Sequence, residues 1–439
     1  MHILYTWCFR LALPLMLLHL WRRGRTDSTY RSRWRERFGL VDSRENITNA
    51  PDNSPAPLVW IHSASVGETL ATIPLIKALS ERHPHWQWLV TTTTPTGSQR
   101  VREALEPVLN ERLLHYYIPF DLPEFLRPFI NTLQPNILLI IETELWPNLL
   151  ATCYKHNIPT VLVNGRLSAK SAKGYARFSA LSRNMLRHFS RVLTQYPADT
   201  ERFVTLGVPA ARINTVGNIK FDLHLDTNVI NEAQTIASQW RNQTKRQVWL
   251  AASTHEGEEE QVLDAYDILR KSFPDLLLVL VPRHPVRSDN VARLCRQRGL
   301  NTVRRSEGIA PDANIQVLLG DTMGELLYFY GACDVAFMGG SLVPIGGHNM
   351  IEPAAWGVPT VSGPHLHNFS TVSSLIQESG GLVVAESAQQ IANKVAAWLK
   401  DKDERIAIGD RAQKVVSRNN GALARTVDEI EALVPSNIS

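Results

Sequence analysis

Residues 137–148 read ILLIIETELWPN. Five bulky apolar residues in succession, with no polar position among them, describe a strand that needs cover on both faces. Two carboxylates follow at once, Glu142 and Glu144, and Pro147 then suits the first turn of a helix, where a missing N–H costs nothing. The stretch is a strand, an acidic turn and a helix.

The same unit recurs on either side. Leu58–His62, Trp88–Thr92 and Thr160–Val163 are short β-type runs, each followed by an amphipathic or charged segment. The pattern restarts after residue 225 with Val248–Ala252, Leu276–Val281, Val317–Leu319, Val335–Met338 and Pro359–Val361. Strand–helix alternation of this kind predicts an α/β fold with parallel sheets covered on both faces. Gly217–Asn231, of mixed polarity, reads as a linker between two doubly wound halves, and a polar, Pro/Asn-rich stretch at 49–57 precedes the first. Open α/β sheets bind ligands beyond the carboxyl ends of their strands, so the chemistry is expected there, in a cleft between the halves.

Composition agrees with a two-domain enzyme-sized chain. The 439 residues are 44% hydrophobic and 20% charged, which excludes wholesale disorder. The net charge of +4 is unevenly placed: residues 1–40 hold eight arginines and two acids, so the remainder carries −2. A nucleic-acid binder spreads basic residues over a folded face, whereas here they adjoin an apolar N-terminus, and the expected anionic partner is a membrane surface or a lipid phosphate. Cys8, Cys153, Cys295 and Cys333 form no C-x-x-C pair and read as reduced, packed thiols on a cytosolic protein.

Ile3–Trp21, ILYTWCFRLALPLMLLHLW, approaches the length needed to cross a hydrocarbon core of ~30 Å. Arg10 would cost about 2.5–3.5 kcal/mol near its centre, and Pro14 and His19 add to this. Neither a charged leading region nor a small-x-small site marks a cleaved signal. The following WRRGR favours retention on the cytoplasmic side. Residues 1–21 are therefore expected to anchor the chain by spanning or lying in the membrane, with domains at 22–225 and 226–439. The competing reading is a buried amphipathic helix, since Leu4, Trp7, Leu11, Leu15 and Leu18 share one helical face.

The sequence lacks G-x-G-x-x-G, the G-x-x-x-x-G-K-[ST] phosphate loop and G-x-S-x-G, which weakens dehydrogenase, NTPase and hydrolase readings. His255-Glu256-Gly257-Glu258-Glu259 lacks the second histidine of a zinc helix, His365 and His367 suit a capping loop better than a metal pair, and D-x-D occurs only at Asp401-Lys402-Asp403, in a charged helical region. No metal and no cofactor is expected.

The positive candidates all follow strands. In HSASVGET (62–69), small residues allow close approach to the backbone, and Glu68 is either a base or a first-turn acid matching the helix dipole. Glu142 and Glu144 offer a second acidic site, or one of them caps the next helix. Lys220, in GNIKFD (217–222), is a compact cation for an anionic substrate unless it is simply solvated. Arg283, in VPRHP (281–285), presents a guanidinium suited to phosphate. GDTMGE (320–325) ends another strand, and GGSLVPIGGHNMIE (339–352) is a glycine-rich loop entering a helix whose N–H groups favour a phosphate, with Glu352 one turn in to accept from a ribose diol.

Taken in order, HSASVGETLA, TTTTPTGS, ETELWPN, GNIKFD, STHEGEE, VPRHP, GDTMGEL and GGSLVPIGGHNMIEPAA closely resemble the bacterial Kdo transferases, which add 3-deoxy-D-manno-octulosonic acid (Kdo) to lipid A precursors. The resemblance covers nearly the whole chain, including YRSRWRERFG (30–39). It implies a GT-B glycosyltransferase of two Rossmann-like domains, the first binding the lipid A precursor and the second CMP-Kdo, at the cytoplasmic face of a bacterial inner membrane. It also implies an inverting reaction in lipopolysaccharide biosynthesis, with Glu68 as general base and Glu142 and Lys220 stabilising the transition state. Pro282, Arg283, Met323, Gly324, Glu325, Asn349, Met350, Ile351 and Glu352 correspond to the CMP site. Met350 departs from the family, which often has proline there. A GT-B transferase for another nucleotide sugar and a non-catalytic nucleotide-sugar sensor each fit part of the pattern; the sensor has no use for Glu68.

Overall fold

The computed structural model describes residues 1–42, 56–64, 66–223, 225–241 and 245–434, so residues 49–55 of the polar stretch lie outside the described residues. The chain forms two compact units, Met1–Lys220 with Gly421–Ser439, and Phe221–Asn420.

In the first unit, β1 (Leu58–His62), β2 (Gln87–Thr92), β3 (Leu113–Tyr117), β4 (Ile137–Ile141), β5 (Thr160–Gly165), β6 (Arg191–Thr194) and β7 (Ile213–Thr215) form one sheet ordered β3-β2-β1-β4-β5-β6-β7, with every pairing parallel. Side chains alternate between two cores as strand geometry requires. Leu58, Trp60, Leu138 and Ile140 face one helical layer, and Val59, Ile61, Ile137, Leu139 and Ile141 the other. The strand order reverses between β1 and β4.

The second unit repeats the plan. Its strands are β8 (Val248–Thr254), β9 (Leu277–Pro282), β10 (Thr302–Arg304), β11 (Val317–Leu319), β12 (Val335–Met338), β13 (Thr360–Ser362) and β14 (Leu382–Val384), ordered β10-β11-β9-β8-β12-β13-β14. Here the reversal falls between β8 and β12. The two doubly wound halves expected from the alternation are present. The strands that the sequence did not announce, β3, β6, β7, β10 and β14, are short or partly exposed, and all but the three-residue β14 (LVV) are interrupted by polar residues.

The division into units differs from expectation in two places. The first unit ends at Lys220 rather than 225, and the chain's last stretch returns to it instead of finishing the second unit. The cause is helix Ala422–Glu431, whose Val427 and Ile430 are 1% and 0% exposed against the Val59 face of the first sheet. Glu431 receives His83 at 2.7 Å and Arg82 at 3.1 Å, and Glu429 pairs with Arg191 at 3.2 Å. The apolar stripe of a terminal helix specifies burial, not which sheet provides it.

The N-terminal helix, His2–Thr26, docks on the first unit through polar contacts. Tyr5 donates to Asp121 at 2.8 Å, Thr6 to Asn148 at 2.9 Å, and Arg10 clasps Glu124 at 2.7 and 3.0 Å. Leu4, Trp7, Leu11, Leu15 and Leu18 point outward and are 43–77% exposed, so they do not form the buried face of a core helix. The helix is long and apolar enough to cross a membrane, by length and composition. Of the eight early arginines, Arg10, Arg33 and Arg37 are engaged within the unit rather than left for a surface. Arg33 binds Glu36 at 2.6 Å and the His115 carbonyl at 2.7 Å, and buried Arg37 donates to the Thr93 carbonyl at 2.9 Å. Arg22, Arg23, Arg25, Arg31 and Arg35 are exposed.

Candidate functional site

The loop after β1 leads into helix Val66–Arg82, with Glu68 in its first turn. Glu68 is half-buried, and its Oε2 accepts the Ala64 N–H at 2.7 Å, which turns the carboxylate back over the loop. The loop is pinned from both sides: Ser63 and Thr69 hydroxyls meet at 3.0 Å, and Thr93 donates to the Ala64 carbonyl at 2.6 Å. Capping the first turn and placing a carboxylate at the strand end are thus one arrangement, not alternatives.

At the end of neighbouring β4, Glu142 adopts φ +59°, a left-handed conformation that costs a non-glycine residue about 1–3 kcal/mol. Its N–H donates to the Val163 carbonyl at 2.9 Å, and its Oε1 accepts Lys220 Nζ at 2.6 Å. Lys220 lies in a short turn, Ile219–Phe221, positioned by two asparagines. Asn164 accepts the Ile219 N–H at 3.2 Å and Asn218 the Lys220 N–H at 3.0 Å. Lys220 is therefore a held partner of Glu142 and not a lone solvated lysine. Glu144 takes a different role: it accepts the Trp146 indole N–H at 2.8 Å, and burial, reinforced by Glu142 and opposed by that hydrogen bond, pushes its carboxyl up.

In the second unit, Pro282 closes β9 and Arg283 donates its backbone N–H to Thr254 at 2.9 Å. The turn after β11 carries Met323, 59% exposed, and Gly324 at φ +84°. Glu325 is clasped by Arg305 at 2.7 Å; burial opposes its ionisation, but the hydrogen bonds from Arg305 and Thr322 prevail and hold it below the usual carboxylate range. After β12, Asn349 bridges two groups, donating to Glu352 at 2.9 Å and accepting the Ile351 N–H at 3.1 Å. Burial pushes Glu352 up, against the Asn349 hydrogen bond.

Two expectations for this loop change. Met350 and Ile351 are 1% and 0% exposed in the core, so their side chains are unavailable and only main-chain groups can face a ligand. The first N–H groups of the glycine-rich loop are also committed: fully buried Glu258 accepts those of Gly340, Ser341 and Leu342 at 2.6, 2.9 and 2.8 Å. An internal carboxylate fills the anion nest that the sequence offered to a phosphate. Nothing in the spacing of Glu258 reveals this, because its partners lie more than 80 residues away.

Asp401 of the D-x-D motif caps helix Lys402–Asn419 by accepting the Glu404 N–H at 2.9 Å. Among the described residues, no group of three or more His, Cys, Asp or Glu side chains is arranged for a metal ion.

Two further features accompany the first unit's site. A cavity of about 600 Å³ lies beside the N-terminal helix, lined by Phe9, Met16, Leu20, Phe120 and Trp146 among others. Residues 145–198 contain no acid and eight Lys or Arg, of which Lys170, Lys173 and Arg177 are exposed on helix Ala169–Arg177. A charge count over this window would have found the second feature; the first required the fold.

All eight motifs lie at the carboxyl ends of strands: three after β1, β2 and β4, one after β7, and four after β8, β9, β11 and β12. Comparison with known proteins gives the same picture. Residues 32–223 match a family model described as 3-deoxy-D-manno-octulosonic-acid transferase (kdotransferase), and residues 237–415 match one for glycosyl transferases group 1. The chain is 38% identical over 435 residues to 3-deoxy-D-manno-octulosonic acid transferase of Haemophilus influenzae, covering 99% of each chain. It is 35% identical over 440 residues to that of Bordetella pertussis, covering 97% of this chain and 98% of the other. A solved glycosyltransferase structure from Rickettsia africae superposes with a TM-score of 0.54 at 13% identity, over 87% of this chain and 99% of that one, which establishes a shared fold. The chain, a glycosyltransferase of GT-B architecture, belongs to the 3-deoxy-D-manno-octulosonic acid transferase family.

Proposed function

We propose that this protein transfers Kdo from CMP-Kdo to a lipid A precursor at the cytoplasmic face of a bacterial inner membrane, with inversion and release of CMP. The first unit receives the acceptor and the second the donor. The observation that supports this reading best is the placement of every family motif at the carboxyl end of a strand, with those after β1, β4, β8 and β12 flanking the two reversal points, where doubly wound sheets bind ligands.

Glu68 takes the proton of the acceptor hydroxyl as that oxygen attacks the anomeric carbon, and the bond to the donor phosphate breaks. General-base help of this kind is typically worth ~10²–10⁴ in rate. The Glu142–Lys220 pair supplies oriented charge as the sugar becomes cationic and CMP gains negative charge. Arg283 and Glu352 are assigned to the nucleotide, through its phosphate and ribose. The exposed apolar stripe of the N-terminal helix, the arginines after it and the acid-free basic segment suit an anionic, acylated acceptor and the membrane that carries it.

The test is to incubate the purified protein with CMP-Kdo and a tetraacyl lipid A precursor and weigh the products by mass spectrometry. Glu68→Gln should lose transfer by ~10²–10⁴-fold and keep its CMP affinity. Absence of any Kdo adduct with the unaltered protein refutes the assignment, and near-normal turnover in Glu68→Gln refutes the base.

A further inference from the structure

The STHEGEE motif has no role in the mechanism so far. Its His255 follows β8, His284 follows β9, and His348 lies in the loop after β12. The sheet order places these three strands side by side, with the β8–β12 reversal beneath His255 and His348. There the two Nε2 atoms stand 2.9 Å apart, with ring planes within 9° and centroids 5.1 Å apart. His284 packs edge-on against His255 at 5.7 Å.

Two ring nitrogens at that distance share one proton: one donates its N–H, and the other accepts with its lone pair and carries its own hydrogen on Nδ1. The main chain lies close about the pair. A Cβ at Gly340 would meet His348 Nε2 at 2.9 Å, and Glu258 accepts the His255 backbone N–H at 2.9 Å. The groups facing the pair are mostly cationic or histidine, namely Arg283, His284 and Arg287. Arg287 is neutralised by Glu259 at 2.6 Å, whereas Glu258, the acid nearest His255, is spent on backbone N–H groups. Burial first, and then these neighbours, push His348 down to about 4; burial also pushes His255 down, with Glu258 opposing and His284, Arg283 and Arg287 adding to the shift. Added negative charge would reverse that depression.

We propose that the His255–His348 pair is a phosphate-binding element for the nucleotide donor, acting beside Arg283 and taking up one proton as the anion binds. It rests on the donor assignment above and gives the phosphate a receptor in place of the nest that Glu258 fills. A shared-proton pair that becomes cationic only when the anion arrives is suited to a leaving group whose charge grows from one to two as the glycosidic bond breaks.

The experiment is calorimetry on the full-length protein in detergent, with CMP and with cytidine, at pH 6.5 and 8.0. It is run in buffers of different ionisation enthalpy, so that protons taken up are counted. The unaltered protein should prefer CMP over cytidine, bind CMP more tightly at the lower pH by up to about tenfold per unit, and take up close to one proton. The phosphate of CMP loses charge in the same direction, so it cannot produce that tightening. His348→Gln should lower CMP affinity roughly 10–150-fold, leave cytidine unchanged and abolish the proton uptake. His255→Asn probes the pair from the other strand and serves if the first variant unfolds below its control. An unchanged CMP-to-cytidine ratio and proton count in a folded variant overturns the inference. Failure of the unaltered protein to bind either ligand overturns the donor assignment itself, and the inference with it.

Discussion

Glu142 offers a test in which stability and activity separate. It sits at φ +59° at the end of β4 and holds Lys220 at 2.6 Å, with side chains 25% and 30% exposed. A Cβ in the left-handed region costs about 1–2 kcal/mol, a cost that alanine retains and glycine escapes. Glycine in turn gives the unfolded chain more freedom, worth about 0.4–1 kcal/mol. Both substitutions lose the ion pair, which at this exposure contributes under about 1 kcal/mol and cancels between them. Glu142→Gly should therefore be more stable than Glu142→Ala by up to about 1 kcal/mol, the reverse of the order in a helix. For a folded unit of this size that is roughly 2–4 °C in melting temperature, read by calorimetry or by urea midpoints. Turnover should fall by ~10²–10³ in both, because each removes the carboxylate that orients Lys220. If Glu142→Ala proves the more stable, the turn is unstrained there. Transfer within a few-fold of the unaltered protein in either variant would show that the pair has no part in the reaction.

Three other outcomes are expected. Arg283→Ala and Glu352→Ala should each weaken CMP binding roughly 10–150-fold, and unchanged dissociation constants for both would misplace the nucleotide site. Deleting residues 2–21 removes the exposed apolar stripe but leaves Arg22, Arg23 and Arg25. Membrane binding should then persist at low salt and vanish at high salt, since charges are screened within about 8–10 Å at physiological ionic strength; salt-resistant binding would place the anchor elsewhere. His62 is fully buried and pushed down to about 4 by burial, with its hydrogen bond to Thr91 opposing the shift. The unfolded chain takes up that proton below about pH 6.5, so stability should fall as the pH drops from there toward 4, by roughly 3 kcal/mol in all. Urea unfolding of His62→Gln at pH 7 and 5 should show a flatter dependence, and an identical slope would mean that His62 protonates in place.

The central strands were legible from the chain because they are covered on both faces. Ile137–Ile141 carries apolar residues at every position and Leu58–His62 at every position but the last, and only a strand with helices on either side can use them all. The strand-end position of the candidate segments was legible for a related reason, since doubly wound sheets bind ligands beyond the carboxyl ends of their strands. Edge strands such as Thr302–Arg304 escaped notice because they bury little and show no apolar run. Helix Ala422–Glu431 carries an apolar stripe, and the sequence showed another on the N-terminal helix, but a stripe does not say what lies against it. Tertiary structure decided that the first stripe completes the opposite end of the chain's fold, and that the second faces outward while Tyr5, Thr6 and Arg10 do the docking. It likewise decided that Lys220 belongs to Glu142, that Glu258 fills the glycine nest, and that His255 meets His348. Each of these contacts joins residues 78–93 apart. Periodicity reports only which face of an element avoids water; the partner is fixed by how the elements pack.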